Sequence, residues 1–189
     1  MSASRLLLVW LVFVLVLASR GEEPVNPFGS NPQAPPRTDA RPGVVSFSDG
    51  KEVRGLVMLS RGVKLELFED RAKRWRAFEL PELSRLEVEV ESEKVEKEWR
   101  FKEAGNDEKL YTGRTYVDRK LRTTVTLADG KTRIAGQVKG TVLYVETREG
   151  EKRKFFLYHD QSGAVGQTAE QVVYIKSVVL EAPLAEEKK

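Results

Sequence analysis

The chain has one histidine, His159, and it stands beside Asp160. A neighbouring carboxylate can orient an imidazole as a general base. No nucleophile answers it: cysteine is absent, and no Gly-x-Ser-x-Gly elbow occurs. One histidine without cysteine also offers no ligand set for a transition metal. Glu87, Glu89, Glu91 and Glu93 form an acidic row, with alternate carboxylates about 7 Å apart if the segment is a strand. Calcium needs six or more converging oxygens, and no Asp-x-Asp-x-Asp loop accompanies the row, so it reads as a solvated face that blunts a strand edge. Glu79 and Glu82 are the remaining acidic pair. A carboxylate-dependent enzyme acting on a glycan would need such groups roughly 5 to 10 Å apart in a cleft. No cofactor fingerprint is present, and no cofactor is expected.

Two basic clusters are interleaved with aromatics: Arg71, Lys73, Arg74 and Arg76 around Trp75, and Lys152, Arg153 and Lys154 before Phe155. Cations beside aromatic rings can grip an anionic polymer by charge and stacking. The plainer alternative is a pair of hairpins with aromatics inside and cations in water. The third candidate is the stretch from Tyr158 to Gln171, a long loop where binding residues concentrate. It offers Asp160, Gln161, Gln167 and Gln171 to a sugar or peptide, around Gly163 and Gly166. The candidate binding residues are therefore Arg74, Trp75, Arg76, Lys152, Arg153, Asp160, Gln161 and Gln167, with no catalytic or metal-ligating residue.

The elements that must position these groups are announced by a repeated phrase. Val45-Ser46-Phe47-Ser48-Asp49-Gly50-Lys51 is followed by Gly55, and Val125-Thr126-Leu127-Ala128-Asp129-Gly130-Lys131 by Gly136. Each copy predicts a strand, an Asp-Gly turn with positive φ at glycine, and a second strand. A repeat of this kind signals a duplicated module. Further short alternating runs follow each copy, at the spacing of small barrels. The second copy carries one extra residue between turn and glycine, read as a bulge. Val95, Trp99 and Phe101 alternate with polar residues before Ala104-Gly105-Asn106-Asp107, which predicts a connecting hairpin. Expected core residues are Phe47, Leu65, Leu67, Phe78, Leu86 and Val88 in the first copy. In the second they are Leu127, Val138, Leu143, Val145, Phe156 and Ile175, with Trp99 against one set.

Outside the β segments, Arg5 precedes an unbroken apolar run from Leu6 to Leu17, the pattern of a secretory signal and short for a membrane span. Residues 21–43 hold six of the eight prolines and read as an extended tether. The charge balance, 32 basic against 29 acidic side chains, gives no general case for nucleic acid. An exported chain without cysteine has no disulfides and rests on its core.

The order strand, Asp-Gly turn, glycine-bearing strand and three more short strands resembles the small five-stranded barrels of the Sm and Src-homology type, over residues 44–90 and 125–180. Gly163-Ala164-Val165-Gly166-Gln167 followed by Val172-Val173-Tyr174-Ile175-Lys176 resembles secreted bacterial proteins without an assigned activity. The resemblance implies a barrel in which Gly55 and Gly136 allow sharp strand bends; it carries no activity. Sm barrels bind RNA, a role that export makes inapt.

The expectation is an all-β chain of two tandem small barrels. It comprises a signal peptide (1–20), a Pro-rich linker (21–43), a first barrel (44–93), a connecting β-hairpin (94–124), a second barrel (125–181) and a tail (182–189). Its function reads as non-catalytic binding or scaffolding in the secreted, periplasmic or envelope compartment. The partner would be an anionic polymer, glycan or protein, with no nucleic acid and membrane contact only through an uncleaved signal. The alternatives are the carboxylate enzyme and a structural protein assembling through sheet edges.

Overall fold

A computed structural model describes residue 37 and residues 39–181; the expected signal segment, most of the linker and the tail lie outside the described residues. The chain is all-β. Among the described residues, eleven strands form one antiparallel sheet that curls into a half-barrel. In chain order they are β1 (Arg41–Phe47), β2 (Glu52–Leu59), β3 (Leu65–Glu69), β4 (Arg74–Phe78), β5 (Leu83–Phe101), β6 (Lys109–Leu127), β7 (Arg133–Val138), β8 (Thr141–Glu146), β9 (Lys152–Leu157), β10 (Asp160–Ser162) and β11 (Ile175–Leu180). One-turn 3-10 helices at Leu80–Glu82 and Ala169–Gln171 precede β5 and β11. The first strand begins inside the segment read as linker.

The two Asp-Gly turns match. Gly50 has φ 84° and Gly130 φ 68°, the left-handed region that glycine enters without cost. Their N–H groups donate to Phe47 O at 3.1 Å and Leu127 O at 3.0 Å. The extra residue of the second copy is absorbed in the turn: Leu127 N donates to Thr132 O, where Phe47 N donates to Lys51 O. Asp129 secures the longer turn by accepting from the backbone N–H groups of Lys131 and Thr132, each at 2.8 Å, and from the Thr132 hydroxyl.

The sheet order is β4-β3-β7-β6-β5-β11-β1-β2-β8-β9, with β10 against β6. The two copies therefore do not close separately in sequence order. The β2 strand pairs with β8 of the second copy, and β3 pairs with β7. One half of the sheet takes β1 and β2 from the first copy and β8, β9 and β11 from the second. The other half takes β6 and β7 from the second copy and β3, β4 and β5 from the first. The pairing is symmetric: Val45 faces Val178, Val125 faces Leu86, and Val178 and Leu86 face each other where the halves meet. Likewise Ser48 N donates to Tyr174 O at 3.0 Å, and Ala128 N to Glu82 O at 2.8 Å.

Gly55 and Gly136 sit where the copies cross. A Cβ on Gly136 would lie 1.9 Å from Phe68 O, and one on Gly55 2.2 Å from Glu146 O. Only glycine lets the neighbouring backbone approach this closely. Apolar residues of both copies then bury one shared cluster that includes Val45, Val57, Leu65, Leu67, Leu83, Leu86, Val125, Leu143, Val145 and Val178. Phe47 and Leu127, expected at the centre, are half-buried at its margin.

Phe156 is outside the core at 44% exposure, and Phe155 packs toward Phe47 at 4.9 Å between ring centroids. The inward parity of β9 is set by buried Leu157, and a one-residue shift in parity exchanges the two faces. The connecting hairpin is continuous with the sheet: β5 and β6 each run 19 residues, and beyond Val90 they leave the core as an arm that β10 flanks at residues 118–120 and that is two-stranded further out. Trp99 is on this arm, exposed, and belongs to neither core set.

Candidate functional site

The basic-aromatic hairpins form the two ends of the sheet, because β4 and β9 are its terminal strands. On β4 the alternation turns Trp75 outward, 56% exposed, against the edge of Phe68 at 5.5 Å. Arg76 lies 3.5 Å from the Glu69 carboxylate and 5.2 Å over the Phe78 ring. Arg71, Lys73 and Arg74 are exposed at the β3–β4 turn. Lys73 takes a left-handed backbone conformation, φ 50°, to close that turn, with its N–H donating to Glu69 O at 2.9 Å.

On β9 the exposed face carries Lys152, Lys154 and Phe156. Phe156 stacks on Tyr158 at 5.4 Å with the rings 5° from parallel, and the Lys154 ammonium sits 4.7 Å above Phe156. Lys152 lies 5.5 Å over the Tyr144 ring. Arg153 pairs with Glu151 at 2.7 Å. It also rims a depression of about 420 Å³ that is floored by Phe47 and Phe155 and bordered by Asp49, Lys51 and Val173. This depression exists because strand exchange puts the first Asp-Gly turn beside the second basic cluster. A larger groove of about 700 Å³ runs over Gly43 and Gly55, with Arg54 and Arg148 facing Glu146, Glu149 and Glu181; its charges are mixed in sign.

The late loop is a strap bound to β6. Its strand β10 pairs with residues 118–120 of β6, and Gly163 N and Gly166 N each donate at 2.8 Å, to Val117 O and Thr115 O. Arg119, only 5% exposed, is the pin. Its guanidinium donates to Val172 O at 2.8 Å and Ala169 O at 3.0 Å, pairs with the Glu93 carboxylate, and lies 5.2 Å over Tyr174. The Gln161 amide donates to Val173 O at 2.9 Å, and the Gln167 side chain accepts from Ala164 N at 2.8 Å. Both amides hold the strap's own backbone. Asp160 stays exposed, 3.8 Å from Lys120. The structure thus brings Lys152 and Arg153 together at one sheet end and Arg74, Trp75 and Arg76 at the other. It does not join Gln161 or Gln167 to either.

Several of the acidic groups have structural partners. Glu87 pairs with Arg85 at 3.3 Å and Arg133 at 2.8 Å. Glu82 accepts from Glu79 N at 2.7 Å to cap the 3-10 turn, while Glu79 pairs with Lys64 at 2.9 Å. His159 is largely buried, and its Nδ1–H donates to Leu121 O at 2.8 Å; the carbonyl can only accept, so that nitrogen carries the proton. Among the described residues no group of three or more His, Asp or Glu could hold a metal ion, and no helix is long and apolar enough to cross a membrane.

Tyr144, Phe156 and Tyr158 are not among the candidate binding residues read from the sequence, which places Phe156 in the core. Their signal is the alternation Phe156-x-Tyr158, readable once Leu157 fixes which side faces the core. No family model, curated protein or solved structure matches the chain.

Proposed function

We propose that the protein is an exported, non-catalytic binding module of the cell envelope, built as two strand-exchanged small barrels that grip an anionic polymer at both ends of the sheet. The observation that carries this reading is the outward turn of an aromatic among cations at each end: Trp75 beside Arg74, and stacked Phe156 and Tyr158 beneath Lys154. Flat rings with cations nearby suit a polyanion, by stacking plus charge. The exchange relates the two ends by approximate two-fold symmetry, so one long polymer engaging both gains the avidity of a second, intramolecular contact. The export part of the reading rests on the apolar run from Leu6 to Leu17 behind Arg5.

The carboxylate-enzyme alternative is weakened because Glu79 and Glu82 are committed to the cap and to Lys64. Assembly of copies through sheet edges is weakened by charge: β4 and β9 both carry cations, so edge-to-edge pairing would set like charges opposite one another.

Titration with teichoic acid and polygalacturonate, with dextran as the neutral control, tests the proposal at low and moderate salt. Binding of the polyanions alone, weakening as salt rises, is expected. Replacing Arg71, Lys73 and Arg74 by Ser, or Phe156 and Tyr158 by Ser, should weaken it about tenfold at each end, scaled to the loss of one or two contacts. Equal binding of dextran, or unchanged affinity in both variants, would reject it.

A further inference from the structure

The β5–β6 arm carries a second surface, separate from the sheet ends. Along β5, Val95, Lys97, Trp99 and Phe101 alternate onto one face. The cross-strand register sets Tyr111 opposite Trp99 and Lys109 opposite Phe101. The contacts agree: Trp99 and Phe101 meet edge to face at 5.1 Å, and the Lys109 ammonium sits 4.0 Å over Trp99. Phe101 is 53% exposed and Tyr111 63%. A two-stranded ribbon is marginal by itself in water, and an apolar group of this kind on a surface marks an interaction site.

Charge is sorted between the two faces. On the aromatic face the charged side chains are Lys97 and Lys109, with Glu93 and Arg119 paired to each other at its inner end. Beyond Glu93 the carboxylates of β5 fall on the other face, with Glu96 held by Lys94 and Glu98 by Thr112 and Arg114. Among the described residues no strand pairs with the outer edge of β5 beyond Glu87, where its pairing with β11 stops, while the strap's hydrogen bonds reach β6 as far as Thr115. An added strand could therefore continue the ribbon along β5 and lay its side chains beside the aromatic face.

We propose that this arm face docks an acidic, extended segment of a partner protein, with apolar side chains on Trp99, Phe101 and Tyr111 and carboxylates reaching Lys97 and Lys109. A second copy offering the same face would set lysine against lysine. An anionic membrane would meet Glu103 and Asp107 at the arm tip, where Lys102 is already paired with Glu108 at 3.0 Å. The edge-to-face rings make no coplanar platform for a sugar. The inference does not rest on the polymer reading, since it concerns other residues and another ligand class.

The test is selection of a displayed random-peptide library on the full chain, with W99S/Y111S as the counter-target. Because that variant could loosen the arm, K97E/K109E, which keeps the apolar cluster, is selected in parallel. Enrichment of peptides alternating Asp or Glu with apolar residues is expected. Their affinity should fall at least tenfold on K97E/K109E and in 0.5 M salt, a change of about 1.4 kcal/mol, while the charge-reversed chain selects basic peptides instead. Enrichment that ignores both variants, or that is neutral or basic on the parent chain, overturns the proposal. So does a dimer in sedimentation, or retention on phosphatidylglycerol vesicles, that W99S/Y111S abolishes.

Discussion

Replacing Gly136 by Ala probes the point where the two copies cross. The new Cβ would stand 1.9 Å from Phe68 O, 2.8 Å from Phe68 C and 3.2 Å from Glu69 Cα. All three are backbone atoms, so no side chain can rotate aside. The Phe68 carbonyl must retreat by about 1 Å, which disturbs a β3–β7 ladder only three residue pairs long, Leu67↔Val138, Phe68↔Gln137 and Glu69↔Gly136. Overpacking of this type costs about 1–3 kcal/mol, and each net hydrogen bond lost adds about 1 kcal/mol. The expected destabilisation is therefore about 3 kcal/mol, with a similar value for Gly55→Ala at its counterpart crossing.

Gly130→Ala is the control. Its surroundings are empty within 4 Å and its φ is 68°, so only the left-handed conformation is strained, at about 1 kcal/mol. Urea unfolding at equilibrium, extrapolated linearly to water, measures all three. If Gly136→Ala costs no more than Gly130→Ala, the close approach of Phe68 is wrong, and with it the crossing as described.

The two adjacent phenylalanines should behave oppositely: Phe155→Ala loses its packing on Phe47 and costs about 2–3 kcal/mol, whereas Phe156→Ser changes stability by less than about 1 kcal/mol. Thermal melts that rank them the other way would reverse the assigned parity of β9. Arg119→Met removes the partner of Glu93 and of two carbonyls, so a loss of about 2 kcal/mol is expected. Faster amide hydrogen exchange confined to residues 160–173 should accompany it, and unchanged exchange there would show that Arg119 does not hold the strap. The Thr132 hydroxyl, with the Thr132 and Lys131 N–H groups, holds the Asp129 carboxyl below its ordinary range. Because the folded value is depressed, the stabilisation is present above the unfolded value and is lost as pH falls through the folded one. An NMR titration placing Asp129 at or above the ordinary carboxylate value would contradict the turn geometry.

Much of the fold was legible because its signals are local. The Asp-Gly phrases marked both turns, and alternation marked most strands and the all-β class. Strand exchange was not legible, because Leu56 offers β2 the same kind of surface to Phe68 of its own copy as to Glu146 of the other. Duplicated modules present near-equivalent pairing partners, and local pattern cannot choose between them. Burial of Phe155 over Phe156 failed at sequence level for a related reason: two adjacent aromatics satisfy either parity until Leu157 is anchored. The basic clusters around Trp75 and Phe155 are visible in the sequence, but which aromatic turns outward is not: Phe155 packs on Phe47 while Phe156 and Tyr158 are exposed. Gln161 and Gln167 read as ligand contacts because an amide bound to its own backbone looks, in sequence, like one open to solvent. The arm was recognised as a hairpin, but its isolation from the core follows from the length of β5 and β6, which no single residue announces.

The exchange itself is open to one direct measurement, helped by a chain without native cysteine. Leu56 faces Glu146 across β2–β8, and Gln137 faces Phe68 across β7–β3. Cysteines placed pairwise at these four positions, oxidised in the folded protein and mapped by mass spectrometry, report which strands are neighbours. Exchange requires efficient cross-links for Leu56→Cys with Glu146→Cys and for Phe68→Cys with Gln137→Cys. Preferential cross-linking of position 56 to 68 and of 137 to 146 would contradict it and restore two barrels that each close on their own strands.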